Sequence, residues 1–242
     1  HGQRQAGREQ QGQWQADGLL EAVDRDGSGG VDWAGMAATA EAFDGACLLR
    51  RSDSLLSTLT TKHPLSGPLG QFAGPLLGIH AIWAEPPATV DALEAQLACG
   101  PATVWIAEPR QLAIAAAGKV SLPTQLTVVV AVLSAASELP AFEEAAAAFF
   151  EHCGITPAVA FAAAGSGGLL SMNTPPARNV VDHELTFQPG TLGRVLNGSV
   201  VWPTAGLRRS LGLADWAGME AITDDQPLAL GAAFAGQRAS TE

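Results

Sequence analysis

Apolar positions in the middle of the chain alternate between runs of strand length and segments with helical spacing. Continuous or β-branched apolar runs predict strands, and apolar residues three or four positions apart predict helices. Strands are predicted over residues 55–59, 79–84, 103–107, 126–133 and 157–161. Helices are predicted over 33–43, 89–97 with Thr89 as N-cap, 109–117 and 140–152, while 67–77 fits either a helix or a packed loop.

Strands that alternate with helices indicate an α/β fold, in which a mostly parallel sheet is flanked by helices. After Ser171 the pattern changes, and short runs such as residues 199–202 suggest small β elements. We therefore expect an α/β core over residues 19–176 and a small β-rich or irregular C-terminal part over 177–242. Residues 1–18 are Gln-rich and predict an N-terminal tail.

Composition narrows the classes of protein. The chain has 242 residues and a formal charge of −11. Only 15% of its residues are charged and 47% are hydrophobic, a composition that excludes a disordered chain. Its acidic balance argues against nucleic-acid binding, which needs clustered Lys and Arg. Three scattered cysteines without a Cys-x-x-Cys pair favour a reducing compartment. The longest apolar run is too short for a transmembrane segment, so we expect a soluble protein. With the cysteine pattern, we expect a reducing compartment, which is the cytoplasm or an organelle matrix.

Three stretches of the sequence carry a family resemblance. Residues 154–176, GITPAVAFAAAGSGGLLSMNTPP, resemble "G-I-P-V-L-E-G-Y-G-x-T-E-x-S-P-V-V-S-M-N-T-P-P" of the adenylate-forming (AMP-binding) superfamily. Residues 190–198, GTLGRVLNG, are similar to its "P-G-T-V-G-R-x-L-P-G". Residues 55–67 resemble its strand ending in "L-P-L-F-H-x-x-G". The resemblance covers about residues 27–200 and is nearest to acyl-CoA and acyl-acyl-carrier-protein synthetases.

The resemblance implies a fold like the large domain of the acyl-adenylate synthetases, together with candidate site residues. It places an acyl pocket at His63, Leu76, Ile79 and Phe161. It also implies a loop containing Gly190, Thr191, Gly193 and Arg194, where the Arg194 guanidinium would clamp the loop. On packing grounds alone, His63 is a hydrogen-bonded structural residue.

Adenylation needs backbone N–H donors, a hydroxyl, a carboxylate that holds Mg²⁺ and a cation around the phosphates. The family's threonine and glutamate positions fall on Ala164 and Gly165, so no catalytic residue is expected. Gly27, Ser28, Gly29 and Gly30 form a vestige of its nucleotide loop, without the lysine that follows in the family. We expect no counterpart of the family's C-terminal domain with its catalytic lysine, since no lysine follows Lys119 in this sequence.

The same glycine turn resembles a calcium loop. Asp24, Asp26 and Ser28 occupy its first, third and fifth positions, but the bidentate glutamate position is Gly35. The pattern therefore disfavours calcium, and no metal or cofactor is expected.

Three hypotheses follow. The first is a catalytically inactive acyl-CoA synthetase-like domain that acts as a structural or interaction subunit of a larger protein complex. The second is an acid–thiol ligase that is completed by another chain and uses ATP and Mg²⁺. The third is a module that binds an acyl chain or an acyl carrier protein.

Overall fold

A single mixed sheet organises the protein. The computed structural model describes residues 33–162, 168–178, 191–195 and 227–229, of which the last two ranges are described as backbone only. Eight strands form one sheet in the order β2-β1-β3-β4-β5-β6-β7-β8. The first five strands pair in parallel, and β6, β7 and β8 continue the sheet antiparallel.

The elements have the following bounds. The strands are β1 Ser54–Ser57, β2 His80–Trp83, β3 Val104–Ala107, β4 Val128–Leu133, β5 Ala158–Phe161, β6 Ser171–Met172, β7 Thr191–Val195 and β8 Pro227–Ala229. The α-helices are α1 Trp33–Cys47, α2 Ala73–Leu77, α3 Val90–Ala98, α4 Pro109–Gly118 and α5 Leu139–Cys153. A short π-helix, Gly67–Gln71, precedes α2, and a 3₁₀ turn, Ala136–Glu138, precedes α5.

Two apolar layers sandwich the parallel strands. Because successive strand residues point to opposite faces, Val129, Ala131 and Leu133 of β4 pack under α3, α4 and α5. Val128, Val130 and Val132 pack instead under α1, the π-helix and α2. Every residue of β1, β3, β4 and β5 is buried. The apolar runs in the sequence are continuous for this reason.

The predicted fold class is confirmed. Each strand and helix predicted between residues 33 and 161 is present, with ends shifted by a few residues, and residues 67–77 form the π-helix and α2. Thr89 caps α3, because its hydroxyl accepts the Ala92 N–H at 3.3 Å. From the predicted C-terminal part, β7 and β8 extend the same sheet. The predicted tail over 1–18 and the run 199–202 lie outside the described residues.

One close approach fixes the π-helix against the edge of the sheet. A Cβ atom on Gly70 would lie 2.9 Å from Cδ1 of Trp83 and 3.7 Å from Oγ of Ser57. The Trp83 indole also donates from Nε1 to the Leu59 carbonyl at 3.1 Å. The absence of a side chain on Gly70 therefore lets the indole lie against the π-helix.

At the end of the sheet where the parallel strands begin, a buried carboxylate gathers donors from distant segments. Asp53 accepts hydrogen bonds from Arg50 N at 2.6 Å, Thr103 Oγ1 at 2.9 Å and Arg178 Nη2 at 2.7 Å. Both charged side chains of the Asp53–Arg178 pair are only 5% exposed. Burial by itself raises the pKa of Asp53, but these hydrogen bonds outweigh it and hold the pKa below its usual value. The ion pair thus ties the segment after β6 to the start of β1.

We expect Gly70→Ala to destabilise the protein by about 1–3 kcal/mol, because the new methyl group displaces the Trp83 ring. Gly45→Ala is the matched control. Gly45 lies inside α1, and a Cβ atom added there would meet nothing within 4 Å, so alanine should stabilise by about 0.5–1 kcal/mol. Urea unfolding of both variants measures the difference, and equal effects would contradict the packing role of Gly70.

We expect Asp53→Asn to cost about 3–5 kcal/mol at pH 7, because it leaves the buried Arg178 charge uncompensated. Since the folded pKa is lowered, the carboxylate's contribution is present above the unfolded pKa and is lost as pH falls through the folded pKa. The stability difference from wild type should therefore shrink in acid. Urea midpoints from neutral to acid pH test this, with the exposed Asp44→Asn as control.

Candidate functional site

The strand order reverses direction between β1 and β3. The connection from β1 leads outward to β2, whereas the connection from β3 leads to β4 on the other side. In open parallel sheets, ligands bind outside the carboxyl ends of the strands at such a reversal. The candidate site is therefore the carboxyl edge formed by the residues that follow β1, β3, β4 and β5.

A buried polar network joins the ends of β1 and β3. Thr58 Oγ1 donates to Gln111 Oε1 at 2.8 Å, and Gln111 Nε2 donates to the Thr58 carbonyl at 2.8 Å. The Trp105 indole donates to Thr58 Oγ1 at 3.0 Å. Gln111 is 2% exposed. Because the amide of Gln111 satisfies both the backbone and the side chain of Thr58, it sets the direction in which the chain leaves β1.

Two carboxylates at this edge bind the protein's own backbone. Glu108 Oε1 accepts the Thr60 N–H at 2.8 Å, and Glu108 forms a capping box with Gln111 at the start of α4. Glu138 accepts Ser134 N at 2.8 Å, Ala135 N at 3.4 Å and Ser134 Oγ at 3.1 Å. Both carboxylates therefore stabilise the loops after β1 and β4.

His63 lies in the loop after β1. The residue is 6% exposed, and its Nδ1 accepts the Leu65 N–H at 3.1 Å. Two successive turns surround it, since His63 N donates to the Thr60 carbonyl and Ser66 N to the His63 carbonyl, each at 2.9 Å. The imidazole thus orders the turn that leads into the π-helix.

The four acyl-pocket candidates do not line one surface. Phe161 is fully buried in the cluster under α3, α4 and α5. Ile79 is half-buried against the cluster on the other face of the sheet, and Leu76 is half-buried on α2. The residues of β5 alternate between the two clusters, so Phe161 lies on the face of the sheet opposite Ile79. The sequence motif of the family does not show on which face a residue lies.

The expected loop at residues 190–194 is wrong for the part that is described. Thr191, Gly193 and Arg194 lie on β7, and Arg194 is opposite Met172 of β6 and Pro227 of β8. The backbone of this segment is thus held by strand pairing on two sides. Gly190 lies outside the described residues.

Several other candidates also lie outside the described residues. These are the nucleotide-loop vestige Gly27, Ser28, Gly29 and Gly30, the calcium candidates Asp24 and Asp26 with Ser28, and the positions Ala164 and Gly165. The described residues closest to this pair are Ala162 and Gly168. Ala162 directly follows β5, and Gly168 packs so closely on α1 that a Cβ there would lie 2.5 Å from Thr39 Oγ1.

Neither a metal cluster nor a membrane span occurs in the part of the chain that the structure describes. No group of three or more His, Cys, Asp or Glu side chains in these ranges could hold a metal ion. No helix in the same ranges has the length and apolarity needed to cross a bilayer.

The three cysteines are free, and burial raises the pKa of the Cys47 thiol to about 12.

Sequence reasoning missed the polar network itself. Thr58, Glu108 and Gln111 were not among the candidates, although Glu108-Pro-x-Gln111 has the spacing of a capping box at a helix start. That spacing predicts a cap for α4. It does not predict that the same glutamine binds Thr58, 53 residues earlier in the chain.

Comparison with solved structures gives the fold. A benzoate CoA ligase from Burkholderia xenovorans is 22% identical with a TM-score of 0.52, and the match covers 68% of this chain and 32% of that one. The anthranilate CoA ligase AuaEII, solved with anthranoyl-AMP, is 16% identical with a TM-score of 0.54, covering 68% and 30%. The AMP complex of MenE from Bacillus subtilis is 15% identical with a TM-score of 0.52, covering 69% and 31%.

The protein has the fold of part of an adenylate-forming CoA ligase. At these identities the likeness shows the fold alone, and the match spans about a third of each ligase. No protein-family model matches the sequence. No curated protein matches it either.

We expect Gln111→Leu to destabilise the protein by about 2–4 kcal/mol, because it leaves the buried Thr58 carbonyl and the Glu108 N–H without their partner. Hydrogen exchange of the backbone over residues 58–66 should also accelerate. The exposed Gln125→Leu is the control and should change neither quantity. Unchanged exchange in the loop would show that Gln111 does not position it.

Proposed function

We propose that this chain is a catalytically inactive adenylate-forming-like domain that serves as a structural or interaction subunit of a larger protein assembly. Its fold is that of CoA ligases, so the proposal concerns which of their chemical groups this sequence retains. The observation that carries it is the pair Ala164 and Gly165, which follow within three residues of Ala162, the described end of the β5 segment. Neither residue offers a hydroxyl to a phosphate or a carboxylate to Mg²⁺.

The described carboxyl edge supports the same proposal. Mg²⁺ binds nucleotides through carboxylates together with phosphate oxygens. Glu108 and Glu138 follow β3 and β4, and both already accept backbone N–H groups. Glu108 accepts Thr60 N of the loop after β1, and Glu138 accepts Ser134 N of its own loop. Releasing either one to a metal would leave those N–H groups without their partner, which costs about 1–3 kcal/mol for each buried group.

The alternative is an acyl-activating ligase that is completed by another chain. In that case ATP and Mg²⁺ would be used, and the lysine that the family places in its C-terminal domain would come from the second protein. The alternative of an acyl-chain or acyl-carrier module has less support, because Phe161 and Ile79 lie on opposite faces of the sheet. The free cysteines agree with a reducing compartment.

ATP–pyrophosphate exchange tests the proposal. We expect the full chain to show no acid-dependent exchange with aromatic, short-chain or long-chain acids. We also expect no saturable binding of Mg·ATP up to about 1 mM, the upper end of ordinary KM values. A competent CoA ligase assayed in the same buffers is the positive control. Exchange by the chain alone would overturn the proposal.

A second measurement addresses the subunit role. The chain, isolated from its own cells without crosslinking, should elute at a defined mass well above the monomer, with a fixed stoichiometry of one other protein. Exchange activity that appears only in this complex would establish the ligase alternative instead. A monomer without a partner would contradict the subunit role.

A further inference from the structure

The open edge of the sheet differs from the other parallel strands. All residues of β1, β3, β4 and β5 are buried, but in β2 His80 is exposed and the next three residues are half-buried. Ala84 N donates to the Ser57 carbonyl at 2.9 Å, so the backbone N–H of Ala84 points toward β1. Because backbone groups alternate along a strand, Ala81 and Trp83 direct their N–H and C=O groups outward, where no described residue pairs with them.

Edge strands of natural proteins usually carry protection against pairing, such as a lysine, an internal proline or a bulge. Strand β2 has none of these within its bounds, and Pro86 and Pro87 lie beyond its end. The four residues, His-Ala-Ile-Trp, are a pairing-competent edge. Such an edge is compatible with a stable protein when another strand covers it.

The charge pattern indicates what can approach this edge. Between Lys62 and Glu85 no residue carries a formal charge, and this stretch forms the π-helix, α2 and β2. One exposed acid, Glu85, lies two residues beyond the end of β2, and the other helices carry exposed acids at Glu41 and Asp44 of α1, Asp91 and Glu94 of α3, and Glu144 and Glu151 of α5. In a chain of net charge −11, two copies avoid mutual repulsion best where both present this neutral flank.

The flank next to β2 is also apolar and aromatic. Phe72, at the start of α2, is half-buried and stacks edge-to-face on Trp33 with ring centroids 5.1 Å apart. The Trp33 side chain is 53% exposed, and Leu76 and Ile79 are half-buried in the same flank. Aromatic side chains are enriched at the centre of protein interfaces.

We propose that β2 is a homodimerisation edge, on which β2 of a second copy pairs antiparallel about a two-fold axis through Ile82. Isologous pairing of one edge with itself satisfies the symmetry of a dimer. Ala81 then lies opposite the partner's Trp83, and Trp83 opposite the partner's Ala81, which forms four backbone hydrogen bonds. The apolar flanks of α2 meet on one side of the joined sheets. This inference is independent of the proposed function.

Sedimentation equilibrium of the full chain tests the dimer over about 1–100 µM, a range that covers ordinary reversible association. Wild type should sediment at twice its 24.8 kDa chain mass. Ala81→Pro removes an outward N–H without touching the ladder to β1. His80→Glu places a carboxylate opposite the partner's Ala84 and next to the partner's Glu85, so like charges meet twice across the dimer. Each should weaken the dimer at least about tenfold, whereas Ala147→Glu on the exposed face of α5 should not.

Circular dichroism melts show whether each variant is folded, and if Ala81→Pro unfolds, His80→Glu decides. A monomeric wild type throughout the range overturns the proposal. A dimer that both edge variants leave intact also overturns it, because the contact then lies elsewhere. Slow hydrogen exchange at Ala81 and Trp83 in a monomeric sample would show that another part of this chain covers the edge, and it likewise excludes the second copy. Neither result bears on nucleotide exchange, so the two proposals fail separately.

Discussion

Burial of the parallel strands on both faces is the constraint from which the architecture follows. A strand such as β4, in which all six residues are buried, needs an apolar layer above and below it. The helices α3, α4 and α5 supply one layer, and α1, the π-helix and α2 supply the other. The parallel connections require crossovers, which deliver the helices to those faces.

Buried polar networks lie at the two ends of this sandwich. At the amino edge, Asp53 and Arg178 join the start of β1 to the segment after β6. At the carboxyl edge, Thr58, Trp105 and Gln111 join the ends of β1 and β3. This second edge keeps the position of a ligand site, since open α/β sheets bind ligands where the strand order reverses. Its acidic side chains Glu108 and Glu138 stabilise loop backbone, and this arrangement is part of the support for the proposed scaffold role.

The sequence by itself determined the elements and their class. Hydrophobic periodicity located each strand and helix from Trp33 to Phe161. A strand that is buried on both faces is a continuous apolar run in the sequence, whereas a half-buried helix has apolar residues three or four positions apart. Thr89 predicted the start of its helix through local N-cap chemistry, and the family wording indicated the fold and the place of His63. Each of these signals comes from residues inside the predicted element or a few positions away from it.

Only the tertiary structure decided which of these residues meet. The face occupied by Phe161 depends on the register of β5, and a shift by one residue would reverse it. Arg194 belongs to a strand because β6 and β8 pair with it from both sides. Gln111 reaches Thr58, and Arg178 reaches Asp53, across separations of 53 and 125 residues. Contacts of that length follow from strand order, which the local pattern of a sequence does not contain.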